Sequence, residues 1–272
     1  MADYKRTQEW PTSSKPWLSN PPEGAVGIAI PMRDNLKFFK LTFHSILDFT
    51  DQKYMMAIVD NMSGLKTVEY MKSVPRNHNV NVLKYQKDHC LAAEANMAFR
   101  FMFAFGNVKF GILVTPDIVA EPNWSSRLIK TIQSDPKIGI AGPVTSHGPA
   151  PQRIGRNDSI YPAGAVGSFC MAFRRETFES VNGFDEAFKG QGFEDQDFCH
   201  RAERAGWITV IDASVFVHRF PFGGNRADAE MLAKNEALFN SRLNGTQSQS
   251  NGTLSQALAC PPDRQKGENN GR

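Results

Sequence analysis

AVGIAIPMRDNLKFFKLTFHSILDFTDQKYMMAIVDNMSG, residues 25–64, is the stretch that decides the fold. Residues 25–31 (AVGIAIP) and 54–60 (YMMAIVD) are short, almost wholly apolar runs, the pattern of strands covered on both faces of a parallel sheet. A helical stretch, 36–49, lies between them, and strand–helix–strand with parallel strands implies a right-handed crossover. The alternation continues outward. A helix is expected over 64–74, a strand over 80–85, an Ala- and Phe-rich helix over 89–105, and a fourth strand over 110–115 (FGILVT). This order predicts one α/β domain, a Rossmann-like sandwich with a mostly parallel central sheet. Ligands of such sheets sit beyond the carboxyl ends of the strands, which directs attention to residues 31–33, Asp60–Asn61 and 115–117.

Beyond Asp117 the pattern loosens. A helix over 122–134 leads to a strand over 138–144, then a loop rich in Gly, Pro and Ser runs over 145–164. A strand (166–173), two helices (175–181 and 193–205) and two short strands (208–211 and 215–218) complete an elaboration of the same sheet. Residues 1–24 form a Pro-rich arm with Trp10 and Trp17. Residues 241–272 hold few apolar residues, so a disordered tail is expected there.

Composition narrows the function classes. The 272 residues are 41% hydrophobic, with 20 Phe and 4 Trp, which is core material that a disordered chain lacks. Net charge is only +3, so no basic stripe for nucleic acid is implied. No apolar run is long enough to span a bilayer and no export pattern opens the chain, so a cytoplasmic location is expected. Cys90, Cys170, Cys199 and Cys260 form no C-x-x-C pair, consistent with reduced, buried thiols.

Several polar residues invite two readings. Asp60 closes a strand before Asn61, Ser63 and Gly64, so it serves either as helix-start chemistry or as a carboxylate for a nucleotide base. Asp117 is either a turn residue after Pro116 or a ligand for a hard cation on a diphosphate. Glu194, Asp195 and Asp197 in GFEDQDF complement a helix N-terminus, and Asp197 can pair with Arg201 one turn on. Clustered carboxylates also push one another's pKa upward, as a general base requires. His218 ends an apolar strand and gains interest only if the fold brings it to Asp117.

Together these pieces resemble the inverting family 2 glycosyltransferases of the GT-A fold. The matching stretches are IAIPMRDNLKFFKLTFHSIL (28–47), AIVDNMSG (57–64), ILVTPDIVAEPNWSSRLIKTIQSDPKIGIAGP (112–143), GSFCMAFRRETFESVNGFDEAF (167–188), GFEDQDFCHRAERAGW (192–207) and VFVHR (215–219). GFDE, then GFEDxDxxxR, then a strand-ending His is the most specific part. The resemblance implies a nucleoside-diphosphate sugar donor bound by Pro31, Arg33, Asp60, Asn96 and Asp117. It implies a divalent cation, Mn²⁺ or Mg²⁺, on Asp117 and His218. Glu194 and Asp195 form the catalytic pair, with Asp195 favoured as base, and Asp197 and Gly167 are assigned to a carbohydrate or other hydroxyl acceptor. Two departures stand out: Thr115-Pro116-Asp117 keeps a single metal-facing carboxylate, and Cys90 stands where a glycine is usual.

The expected reaction is non-processive transfer of one sugar, since no Q-x-x-R-W motif follows the acidic cluster. Two rival readings are a non-catalytic nucleotide-sugar or saccharide-binding module and a nucleotidyltransferase. The latter usually carries a Gly-rich loop after the first strand, where this chain has PMRDNLKF.

Overall fold

The computed structural model describes residues 24–74, 80–105, 108–220 and 228–257, with backbone alone for 244–257. Residues 1–23 of the arm and the last fifteen residues of the tail, Cys260 among them, lie outside the described residues.

Four parallel strands form the first half: β1 (Val26–Met32), β2 (Tyr54–Asn61), β3 (Val80–Tyr85) and β4 (Phe110–Val114). They are joined by α1 (Leu36–Phe49), α2 (Leu65–Ser73) and α3 (Leu91–Phe105). All seven β1 residues are buried, as the unbroken apolar run requires. Alternate residues feed opposite layers. Ile28, Ile30 and Met32 pack with Phe39, Phe43 and Ile46 of α1, while Ala29, Ala57 and Val59 join Phe99 and Met102 of α3 on the other face.

The second half adds β5 (Ile118–Val119), α4 (Trp124–Ser134), β6 (Ile138–Thr145), a 3-10 turn at Ala150–Gln152, β7 (Ile160–Pro162), β8 (Cys170–Arg174), α5 (Arg175–Ser180), α6 (Glu194–Arg204), β9 (Ile208–Arg219) and α7 (Ala229–Ala257). The nine strands make one sheet in the order β3-β2-β1-β4-β8-β6-β9-β5, with β7 on β9. β6 and β9 continue the parallel direction, while β8, β5 and β7 run against their neighbours. The chain winds from β1 out to β3 and returns to the other side of β1 with β4. In sheets of this kind that reversal, beyond the carboxyl ends of β1 and β4, is where ligands bind.

Many of the phenylalanines gather on the second face. Phe99, Phe173, Phe178, Phe184 and Phe198 pack edge-on or stacked, with Phe184 and Phe198 centroids 4.3 Å apart. Gly111 is required beneath them, since a Cβ there would stand 2.7 Å from both the Phe99 and Phe173 rings. Cys90, Cys170 and Cys199 are buried and free, as expected.

Three expectations are corrected. The two short strands at 208–211 and 215–218 are one strand, β9, whose register against β6 jumps from Asp212 to Phe216. Asp212 stabilises this irregularity by accepting from the Ser214 N–H and hydroxyl, while Ala213 pairs through its backbone with Asn157 and Ser159. The expected loop over 145–164 contains β7 and the 3-10 turn. Residues 241–257, expected without structure, continue α7. That helix is anchored near its start by Asn235 and Arg242, and propagation beyond a formed nucleus costs far less than nucleation. Among the described residues no helix is long and apolar enough to cross a membrane.

Candidate active site

The carboxyl ends of β1, β2 and β3 carry a polar network. Asp60 closes β2 opposite Met32 and Lys84 and is buried. One oxygen accepts from the Ser63 N–H at 3.0 Å, and the other lies 4.0 Å from Lys84 Nζ. The Ser63 bond shapes the turn before α2 and does not cap the helix, whose N-cap Gly64 donates its N–H to Asp34 at 2.7 Å, and the other Asp60 oxygen faces a cation at the strand end. Asn61 donates to the His89 carbonyl at 2.8 Å and to Glu94, and accepts from the His89 N–H. Burial pushes the Glu94 carboxyl up to about 8. Arg33, exposed just past β1, pairs with Asp88 at 2.7 Å, and Asp88 also accepts from Asn61. Pro31 is buried inside β1 opposite Val59.

Asp117 follows β4 and is 1% exposed. The Thr115 hydroxyl donates to its Oδ1, and Arg219 Nε donates to its Oδ2 at 3.1 Å. The Thr115 N–H donates to the Phe169 carbonyl, and the Arg219 guanidinium lies 5.1 Å from the Phe169 ring centroid.

Phe169 adjoins the residue that organises the acids. Ser168 donates its N–H to Asp195 Oδ2 at 3.0 Å and its hydroxyl to Glu194 Oε1 at 3.1 Å. Glu194 is 2% exposed and takes a further hydrogen bond from the Gly192 N–H, whereas Asp195 is partly exposed. Burial pushes the pKa of both acids up, and for Glu194 the Asp195 charge adds to it. Arg219 acts on Asp195 in the opposite sense, lowering its pKa through its charge. The pair is delivered by a left-handed turn: Phe193, at φ 70°, precedes the helix, a conformation costing a bulky residue about 1–3 kcal/mol. The Phe193 ring faces Phe239 of α7 at 5.8 Å, and Asn235 of α7 donates to the Gly192 carbonyl.

Four expected site residues stand elsewhere. His218 does not meet Asp117. Successive side chains of β9 point to opposite faces, so Arg219 takes the Asp117 side and His218, exposed, lies 3.5 Å from Glu121. Asp197 spends both oxygens, one on Arg201 and one on Arg242, each at 2.7 Å, because it lies nearly opposite Asp195 around the helix. Gly167 is buried with its N–H donated to Gln152, and a Cβ there would stand 2.8 Å from Phe169. Asn96 ties α3 to the segment after α5, through the Phe184 carbonyl and N–H and the Glu186 carboxylate. Ser168 was not singled out by the sequence, and Arg219 only within the basic, Gly-rich segment 218–226, readable as a loop over phosphates or as a plain surface loop, of which 221–226 lie outside the described residues. Ser168 lies in a run that reads as strand, and Arg219 beside a more conspicuous histidine.

The donor set does not fit a divalent cation. Asp117 is the single carboxylate offered by Thr115-Pro116-Asp117, both its oxygens are engaged, and a guanidinium already neutralises it. Among the described residues no three His, Cys, Asp or Glu are grouped to hold a metal ion.

Residues 161–220, which hold β7 through β9, match the family described as the N-terminal domain of galactosyltransferase. The uncharacterized protein y4gI of Sinorhizobium fredii (strain NBRC 101917 / NGR234) is 26% identical over 259 residues, spanning 83% of this chain and 27% of that protein. Among solved structures, GalNAc-T7 with UDP, GalNAc and Mn²⁺ matches with a TM-score of 0.63 at 15% identity, over 79% of this chain and 47% of that one. The mannosyltransferase PcManGT from Pyrobaculum calidifontis, in complex with GDP-Man and Mn²⁺, matches at 0.58 and 14% identity, over 74% and 58%. S. aureus TarS 1-349 matches at 0.57 and 12% identity, over 72% and 60%. The chain thus spans about a quarter of its sequence relative and about half of these structures. The likeness shows the fold: a single mixed α/β domain of the GT-A glycosyltransferase type with a mostly parallel sheet.

Proposed function

We propose that this chain is an inverting glycosyltransferase of the family 2 kind, moving one sugar per encounter from a nucleoside-diphosphate donor to an acceptor hydroxyl. The observation that carries the reading is Asp195, a partly exposed carboxylate held by the Ser168 N–H, with a pKa raised by burial, on the same floor as the Asp117–Arg219 pair. The nucleotide end of the donor lies over Arg33, Asp60 and Asn61, and its diphosphate reaches toward Asp117 and Arg219. Nucleotide-bearing relatives of the same fold support a donor of this class.

Asp195 takes the proton of the acceptor hydroxyl as that oxygen attacks the anomeric carbon. The bond from that carbon to the diphosphate oxygen breaks with its electron pair leaving on the diphosphate. A single base opposite the leaving group inverts the centre. Glu194, buried and held by Ser168 and Gly192, positions the helix start and reaches no acceptor. No step passes through a metal ion, because the donor set at Asp117 does not fit one. Neither rival reading is favoured, since a non-catalytic module has no use for a partly exposed acid of raised pKa held in place.

The test is release of nucleoside diphosphate from a panel of nucleotide sugars, with and without simple saccharide acceptors. Asp195→Asn is expected to lower turnover by about 10²–10⁴-fold while donor affinity stays within about twofold. Near-normal turnover in that variant removes Asp195 as base. Donor binding without any transfer or hydrolysis by the parent chain makes it a binding module.

A further inference from the structure

We propose that Arg219, in place of a divalent cation, supplies the positive charge that receives the departing diphosphate. The inference rests on the glycosyltransferase reading above and concerns how that reaction is neutralised.

The placement follows from the strand. Across the β5–β9 pairing Arg219 is opposite Ile118 and His218 opposite Val119, so one faces the crevice and the other leaves it. The histidine that would complete a metal site is turned toward Glu121 and Phe216. At Asp117 a hard dication would find one carboxylate, where such ions gather several oxygens. Both oxygens are already used, by the Thr115 hydroxyl and by Arg219.

The guanidinium has the right chemistry and exposure for the task. Its Nε is committed to Asp117, which fixes the plane, and among the described residues its two Nη groups have no hydrogen-bond partner. The side chain is 29% exposed whereas that of Asp117 is 2% exposed, so the buried carboxylate anchors a group that reaches the opening. Two parallel N–H donors in a rigid fork match two oxygens of a phosphate. Arg219 also packs over Phe169, beside the serine that holds Asp195, so the charge stands near the base that acts on the acceptor. A fixed cation aimed at charge that develops on the leaving group stabilises the transition state without reorganisation.

Calorimetric titration of the full chain with UDP, GDP, dTDP, ADP and CDP, in EDTA and in Mn²⁺, tests this without relying on turnover. At least one diphosphate is expected to bind with the same Kd in both buffers. Arg219→Ala is expected to weaken that diphosphate about tenfold or more, with Arg219→Lys intermediate, and to leave the matching nucleoside monophosphate unchanged, as loss of charge-assisted bonds to the second phosphate requires. A purely structural role would weaken both nucleotides alike and would overturn the proposal. So would tightening of the diphosphate about tenfold or more by Mn²⁺ in the parent chain. That arm needs no variant, and the paired variant Asp117→Asn/Arg219→Gln avoids a lone buried charge if Arg219→Ala does not fold. Binding only with Mn²⁺ leaves the glycosyltransferase reading standing and removes Arg219. Binding of no nucleotide in either buffer removes both.

Discussion

Asp117 and Asp195 are the same residue type, both acted on by Arg219, and their surroundings are opposite in character. Asp117 is buried and takes a hydroxyl on one oxygen and a guanidinium on the other. Asp195 is partly exposed and takes two backbone N–H groups, with burial opposing its charge and Arg219 favouring it. One carboxylate holds a guanidinium in place; on the function proposed above, the other exchanges a proton. The difference is made by neighbours, chiefly Arg219 and Ser168, rather than by the aspartates themselves.

Exchanging the tasks should therefore produce opposite phenotypes. Asp195→Asn, with its loss of turnover, should leave thermal stability nearly unchanged. Asp117→Asn should lose about 2–3 kcal/mol in denaturant unfolding, a value between those for exposed and buried pairs because Arg219 is partly exposed. An unfolding midpoint equal to that of the parent would show that the pair does not anchor Arg219. Ser168→Ala sharpens the other side of the contrast. It removes the hydroxyl from Glu194 but keeps the N–H on Asp195, so a stability loss of about 1–2 kcal/mol is expected, with turnover reduced far less than by Asp195→Asn. Equal losses of turnover in the two variants would make Glu194 a participant.

The smallest effect concerns pH. Glu94 has its carboxyl pushed by burial from 4.5 to about 8, so the folded chain binds this proton more tightly than the unfolded one. Its contribution to stability is complete below the unfolded value and falls as pH rises from 4.5 toward 8. Unfolding midpoints at several pH values should decline less steeply over that window in Glu94→Gln than in the parent. Parallel curves would show that Glu94 is ionised throughout.

Much of the fold was legible, and for local reasons. The apolar runs at 25–31 and 54–60 and the intervening helix are written in periodicity, and α1 spans the residues expected of it. The later strands were less legible. β9 was read as two pieces because the irregularity at Asp212–Phe216 is stabilised by partners from α4 and from residues 157–159. The site was legible as a set of acids at strand and helix ends. Asp60 lies at the end of β2, Asp117 just past β4, and Glu194 and Asp195 open α6. Asn96, Asp197 and Gly167 matched motif positions and turned out to tie elements together, since hydrogen-bond partners distant in sequence cannot be read from spacing.

By itself, the sequence determined the kinds of element, their order, and that carboxylates would gather where strands end, because hydrophobic period and chain direction are local properties. Only the tertiary structure decided which carboxylate is paired and which is left to act. Successive side chains on a strand point to opposite faces, so the pairing of β5 with β9 assigned Arg219, not His218, to Asp117. That one register sets a guanidinium against Asp117, where the sequence led to the expectation of a histidine.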